Sequence, residues 1–300
     1  MASWDIVVIG GGAAGLSAAS VAAGAGLSCV VIDSMGGGGE LMNLGTLHGL
    51  DEALTGPDLA GRLLEEAVVA GAELEIAEVT GLTPLGAGWR VTTSESEHEA
   101  RAVILAIGLA PGTLGIEGED GYEARGLSHC AACDGPLYRD LPVVVAGADR
   151  WAVEEARELA ATASAVTLVT QGEAAPLADG FAVVAGRIVG LDGAAGLDAV
   201  TVQPADGSAP VRLPTQAVFV QTGRRPDLAF APRGLACDPD GRLVTDATGQ
   251  TGLPGLFAAG DARAGTDRTL ATAMADGGRA AASACAPLSR PSWQGRRIGV

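Results

Sequence analysis

Residues 9–15 read IGGGAAG, and their spacing decides what the first part of the chain can be. Gly10, Gly12 and Gly15 fall in the pattern G-x-G-x-x-G, between a short apolar run and the small-residue stretch from Ala13 to Ala25. Ile6–Ile9 reads as a buried strand, Ala13–Ala25 as a helix and Ser28–Ile32 as a second strand, which makes a βαβ opening. In such a unit the first glycine permits the tight turn and the second lets backbone approach a pyrophosphate. The third brings helix against strand, and the helix N-terminus adds partial positive charge. A glycine-rich turn without a ligand gives the same pattern, so the glycines alone decide little. Asp33 decides more: it closes the second strand 23 residues after Gly10, where a carboxylate takes ribose hydroxyls. Gly10, Gly12, Ala13, Ala14, Gly15 and Asp33 are therefore the expected dinucleotide seat.

The rest of the chain repeats this logic. Pro57 stands at a helix start with Thr55 or Gly56 before it, and that helix runs to Gly71. Trp89–Thr93 alternates like a hairpin strand, and Arg101–Ile107 reads as a strand. A second βαβ unit follows, with strand Pro142–Ala146, helix Trp151–Ala163 and strand Ala165–Thr170; Val211–Val220 reads as a further strand. A small-residue helix is expected near Thr269–Cys285, then a Pro/Arg-rich tail over 287–300. The expected fold class is α/β, two Rossmann-like dinucleotide-binding domains with the second inserted into the first. The expected segments are 1–112 and 237–300 for the outer domain and 113–236 for the inserted one.

With 300 residues the chain can bury two ordinary cores. All 19 basic residues are Arg, and the formal net charge is -17. That charge argues against a nucleic-acid partner and against an acidic membrane surface. The apolar N-terminal run has Asp5 in front and a glycine break at 10–12, which fits neither a signal peptide nor a membrane span. A cytoplasmic location is the expectation. Five cysteines are too few for a disulfide scaffold, so any bridge is expected to be catalytic.

Two of them stand in SHCAACDG at 128–135. A zinc site needs a second ligand pair, and Cys29, Cys237, Cys285, His48 and His98 show no such spacing, so no metal is expected. A helix beginning near Cys133 places thiols at its positive end and lowers a thiolate pKa. Asp134 can move a proton as the bridge opens, and His129 is a candidate base or a satisfied polar residue. Cys130 and Cys133 read as redox cysteines. Cys29 and Cys285 read as packing residues, and Cys237 as inert.

FAAGDA at 257–262 resembles the second FAD fingerprint of flavoproteins with two dinucleotide domains, which puts Gly260 and Asp261 near the flavin's ribityl chain or phosphate. Together with Gly108 of AIG at 106–108, it favours FAD at the first seat. The longer matches AIGLAPGTLGIEGED, SHCAACDG, VFVQTGRRPD, LPGLFAAGDAR and RTLATAMADGGRAA resemble low-molecular-weight thioredoxin reductases. The resemblance implies bound FAD that exchanges electrons with Cys130 and Cys133, Cys133 nearer the flavin and Cys130 the one that meets substrate. It also implies FAD contacts at Gly39, Glu40, Arg268, Thr269 and Leu270, and a homodimer. Glu40 replaces a usual Gln.

The departure lies in the second βαβ unit. That family needs G-x-G-x-x-A for NADPH and a His-Arg-Arg cluster for its 2′-phosphate. Here AGADRWAVEEA puts Asp149 at the second glycine, and VTQGEAAPLA has no basic residue near Thr170–Gly172. A carboxylate beside a phosphate repels it. NADPH is thus doubtful on sequence, and the expected reaction is reversed: a small-molecule dithiol reduces the cysteines, these reduce FAD, and O2 reoxidises it. In this respect the chain is similar to FAD-dependent dithiol oxidases of the gliotoxin and holomycin type. The rival expectations are an NADPH-dependent thioredoxin reductase, a reductase fed by ferredoxin or another flavoprotein, and a non-enzymatic flavin sensor.

Overall fold

The structure is a computed structural model and describes residues 2–47, 54–174 and 180–288. His48 and the expected tail beyond Leu288 lie outside the described residues. The chain divides into two compact units, Met1–Leu109 with Arg225–Val300, and Ala110–Arg224. Both are α/β, and the second is inserted into the first.

The first unit is built on a seven-stranded sheet. Its central strand, Ala2–Ile9, pairs in parallel with Cys29–Asp33 on one side and with Glu97–Leu105 on the other. Both faces of this strand are covered, which is why it reads as an unbroken apolar run. Glu73–Ile76 extends one edge, and Leu256–Ala258 returns to pair with Glu97–Leu105. Val79–Leu85 and Gly88–Thr93 add an antiparallel hairpin. Two helices, Ala13–Gly24 and Leu270–Leu288, share one core with the sheet. They approach closely because their facing residues are small: a Cβ on Gly277 would strike the Ala14 carbonyl. The helix Gly56–Val69 starts on a capping box, Thr55 and Asp58 bonding each other's backbone N–H.

The second unit repeats the plan with a five-stranded parallel sheet, in spatial order Ala182–Val184, Ala165–Val169, Pro142–Ala146, Ala217–Val220 and Leu127–Ser128. The helix Arg150–Ala160 packs on it through Ala152, Val153, Ala156 and Leu159. A three-stranded antiparallel sheet, Gly186–Asp192, Ala199–Pro204 and Val211–Pro214, covers the other face.

Several expected boundaries move. The strand expected over Val211–Val220 is two strands in two sheets, because Thr215 turns inward and its hydroxyl bonds the carbonyls of Pro142 and Ala217 at 3.0 and 2.8 Å. The strand expected from Arg101 begins at Glu97, and the helix expected near Cys133 begins at Ala131.

The close approach of the two small-residue helices gives a paired prediction. Gly277→Ala should destabilise the protein, since overpacking costs about 1–3 kcal/mol against a helix-propensity gain of about 1 kcal/mol. Gly278→Ala, whose Cβ meets only Val21 at 3.8 Å, should be neutral or stabilising. Thermal melts of the two variants should move in opposite directions or differ by several degrees.

Candidate functional site

In the first unit, strand Ala2–Ile9 ends at a turn that only glycine can make. Gly10 has φ +100°, and a Cβ there would meet the Ala106 carbonyl. Gly15 cannot carry a side chain either, because the Gly10 carbonyl fills the space. Gly12 differs: nothing stands within 4 Å of its would-be Cβ. The helix Ala13–Gly24 begins there without a side-chain cap and without an acid in its first turn. Its leading N–H groups, those of Ala13, Ala14 and Gly15, therefore have no side-chain acceptor, and the approach beside Gly12 is open. These residues fit a pyrophosphate.

Asp33 also organises the backbone around the turn. Its carboxylate accepts the Gly11 N–H at 2.7 Å, the Met35 N–H at 2.9 Å and the Gly37 N–H at 3.0 Å. It ties the glycine turn to the 35–38 loop, and three of its about four acceptor positions are in use. Gly39 has φ +51° and opens the 3₁₀ turn Gly39–Asn43, with Glu40 exposed beside it. Gly108 and Gly260 both have positive φ, at 62° and 68°. Asp261 sits in the 3₁₀ turn Gly260–Ala262. Arg268 is exposed with φ +52°, and the Thr269 hydroxyl accepts the Thr272 N–H at 3.2 Å, capping the helix that starts at Leu270.

What holds that turn was not legible as a motif. Asp276, 5% exposed, takes a two-pronged bond from Arg263, Nε to Oδ2 at 3.0 Å and Nη2 to Oδ1 at 3.1 Å. Arg279 adds a bond to Oδ1 at 2.7 Å. Arg263 directly follows the Gly260–Ala262 turn, so the buried pair fixes Asp261's turn to the helix Leu270–Leu288.

In the second unit Cys130 and Cys133 form a disulfide with Cα atoms 5.3 Å apart. Cys130 is the N-cap of the short helix Ala131–Asp134, and the Cys133 N–H points at Cys130 Sγ, 3.2 Å away. Buried Ser128 locks this turn: its hydroxyl donates to Asp134 Oδ2 at 2.7 Å and accepts the Cys130 N–H at 3.2 Å. His129 Nε2 lies 3.1 Å from Glu123 Oε1, its Nδ1 is buried without a partner, and its carbonyl accepts from Gln221 Nε2 at 3.1 Å. Cys133 is exposed and Cys130 half-buried.

The remaining thiols are elsewhere. Burial pushes the Cys29 thiol up to about 12, with nearby Cys285 adding to it, and burial raises Cys285 as well. Neither is a nucleophile near neutral pH. Cys237 is exposed in a loop. Among the described residues no cluster of His, Cys, Asp and Glu could hold a metal ion, and no helix is long and apolar enough to cross a membrane.

The second βαβ turn has the first one's shape and a different occupant. A Cβ on Gly147 would meet the Gln221 carbonyl, so the tight turn is kept. Asp149 caps the helix Arg150–Ala160, its Oδ1 accepting the Ala152 N–H at 2.9 Å. The chain's own carboxylate thus holds a donor that a dinucleotide phosphate uses in such folds.

Residues 4–277 match the family model described as pyridine nucleotide-disulphide oxidoreductase. The chain belongs to that family. It is 34% identical over 299 residues to a thioredoxin reductase of Listeria monocytogenes, covering 94% of this chain and 92% of the relative. The thioredoxin reductase of Lactococcus lactis has a similar structure, with TM-score 0.78, 27% identity and coverage of 94% and 97%. A ferredoxin-flavin thioredoxin reductase of Clostridium acetobutylicum matches with TM-score 0.55, 28% identity and coverage of 96% and 99%. The chain is an enzyme of the low-molecular-weight thioredoxin reductase superfamily, a disulfide oxidoreductase and an FAD-binding flavoprotein.

These relatives overturn the expected dithiol oxidase. They are named thioredoxin reductases, so neither a small-molecule dithiol nor O2 stands as the expected partner. That expectation rested on Asp149 at the second glycine of the pattern and on the lack of basic residues near Thr170–Gly172 in sequence. The fold brings one from further on: the Arg187 guanidinium lies against Gly172, its Nε 2.8 Å from where a Cβ would stand.

The Asp276 pair yields the next prediction. Asp276→Asn strips the charge from a buried pair and leaves Arg263 uncompensated, which costs about 3–5 kcal/mol. Calorimetry should show the lowered melting temperature, and flavin retained through gel filtration should fall.

Proposed function

We propose that the chain is an FAD-dependent reductase of a thioredoxin-type protein disulfide, working through Cys130 and Cys133. The disulfide at SHCAACDG, with the Cys133 N–H on Cys130 Sγ, carries this reading within the thioredoxin reductase family. FAD, when bound, supplies a two-electron carrier that leaves these cysteines as the dithiol. Gly10, Gly12, Ala13, Ala14 and Gly15 would hold its pyrophosphate, and Asp33, Gly39, Glu40, Gly108, Gly260, Asp261, Arg268, Thr269 and Leu270 would complete its seat.

The protein's own steps are thiol–disulfide exchange. The Cys130 thiolate attacks one sulfur of the substrate disulfide, forming a mixed disulfide and releasing the other substrate sulfur as a thiolate. Cys133 then attacks Cys130 Sγ, which frees the second substrate sulfur and closes Cys130–Cys133. One substrate disulfide becomes two thiols, and one enzyme dithiol becomes a disulfide. The backbone N–H at Cys130 Sγ favours charge on that sulfur, which supports Cys130 as the attacking group. Asp134, oriented by Ser128, is placed to give and take the proton. His129 Nε2 is engaged by Glu123, so a base role for His129 falls to Nδ1, which has no hydrogen-bond partner.

The electron donor in this proposal is a reduced pyridine nucleotide, the class named in the family's description. Arg187 at Gly172 and the buried Gln171 Nε2, which has no hydrogen-bond partner, supply donors at the end of strand Ala165–Val169. Asp149 on the Ala152 N–H favours a second reading, electrons from a ferredoxin as in the name of the Clostridium relative. The homodimer expected from the resemblance is kept as part of the proposal, and light scattering that shows a monomer at all concentrations removes it.

Anaerobic stopped-flow separates the two donors. Micromolar NADPH or NADH should bleach the flavin rapidly, and Asp149→Gly should lower the KM for the nucleotide on the order of tenfold or more by removing a repulsion of at least about 1.4 kcal/mol. Bleaching by reduced ferredoxin alone transfers the reading to the second donor. Turnover with a thioredoxin should vanish in Cys130→Ser and in Cys133→Ser; turnover retained in either variant overturns the assignment of these cysteines.

A further inference from the structure

Glu155 is a carboxyl that the exchange chemistry does not use. It stands on the helix Arg150–Ala160, three residues after fully buried Ala152 and four before Leu159, and so on the helix's inner side. That side packs against Ala131, the residue between Cys130 and Ala132 in the redox turn. The Glu155 carboxyl is coupled electrostatically to the Ala131 backbone N–H and the Gln221 side-chain amide. Gln221 in turn donates to the His129 carbonyl at 3.1 Å. Glu155 Oε2 is buried and has no hydrogen-bond partner. One carboxyl therefore stands on the helix face that packs against the redox turn at Ala131.

We propose that Glu155 is a positioning residue for exchange at Cys130–Cys133, acting through the Ala131 N–H so that its protonation state sets how readily Cys130 becomes a thiolate. The inference rests on the reading that these cysteines carry the reaction.

The physical reason is competition for one turn. When the disulfide opens, negative charge develops on Cys130 Sγ, which already draws on the N–H of Cys133. An ionised Glu155 claims the neighbouring Ala131 N–H and adds a like charge beside the same turn, which disfavours the thiolate. A protonated Glu155 adds none. Burial raises the Glu155 carboxyl above its ordinary range; the Ala131 and Gln221 bonds and the Arg224 charge oppose this, and Glu158 adds to it. The turn Ala131–Asp134 contributes Cys133 and Asp134, the latter held by Ser128, with His129 just ahead of it. The strands Pro142–Ala146 and Ala165–Val169 behind the helix carry no ionisable side chain. Glu155 thus changes charge closer to the range where a reactive thiol titrates than an exposed glutamate does.

The test is the pH profile of thiol alkylation in the chemically reduced, FAD-loaded protein, with the modified cysteine located by peptide mapping. In Glu155→Gln the Cys130 midpoint should fall by about one pH unit. The rate near pH 7 should rise only on the order of threefold, because a less basic thiolate is also a weaker nucleophile. Glu155→Ala should shift the midpoint the same way, which keeps the test open if one variant folds poorly. An unchanged or raised midpoint in the variants overturns the inference, whatever happens to turnover. A lowered midpoint in a protein that reduces no thioredoxin would sustain this inference and remove the proposed function instead.

Discussion

A helix that begins inside a folded protein brings N–H groups that some acceptor must take, and the two halves of this chain answer that demand differently. At Ala13–Gly24 no side chain answers it, and the approach beside Gly12 is left open. The strand end, the φ +100° turn at Gly10 and the close fit of Gly15 exist around that open seat. At Arg150–Ala160 the Asp149 carboxylate answers it. The same backbone plan is thus finished in two ways: one helix start is left without a side-chain cap, and the other is capped by the chain's own carboxylate. A substituted glycine is in this sense a change of acceptor as well as a change of bulk.

Carboxylates on the inner sides of helices carry the second layer of organisation, Asp276 buried and Glu155 half-buried. Asp276 and Glu155 are both acids on the inner sides of helices, and each reaches the piece of chain that matters in its own unit. Asp276 holds Arg263, and through it the Gly260–Ala262 turn. Glu155 stands on the helix face packed against Ala131, between the redox cysteines. They differ in how their charge is treated. Asp276 is surrounded by two guanidinium groups and is an anchor. Glu155 has a weaker set of partners and an empty oxygen, so its charge is free to respond.

Much of the architecture was legible because it is written in periodicity and glycine spacing. The runs ending at Ile9, Ile32, Ala146 and Val169 are strands where expected, since parallel strands covered on both faces need continuous apolar sequence. The three-stranded sheet around Ala199–Pro204 was missed, because its short strands alternate weakly and Thr215 breaks an apparently continuous run. The Cys130–Cys133 pair was legible from spacing alone, whereas its lock, Ser128, was not: no pattern announces that a serine two residues ahead will bond an aspartate six residues on. Glu155 and Asp276 did leave a signal. Helical spacing places each in register with buried alanines or leucine, and a carboxylate at an apolar position is the mark of a group with a task.

Arg187 shows where reading along the chain runs out. The segment Thr170–Gly172 has no basic neighbour in sequence, but a sheet recruits neighbours from other strands. Gly186–Asp192 carries Arg187 from the covering sheet to the end of Ala165–Val169, with the Thr170 hydroxyl accepting the Gly186 N–H at 3.3 Å and the Gly172 N–H bonding the Gly186 carbonyl at 3.0 Å. Those two bonds fix the strand that holds the arginine, so its position against Gly172 follows from backbone pairing more than from any charge it meets. A deficit of charge inferred from one segment was therefore an inference about connectivity, and the fold had supplied the charge by another route.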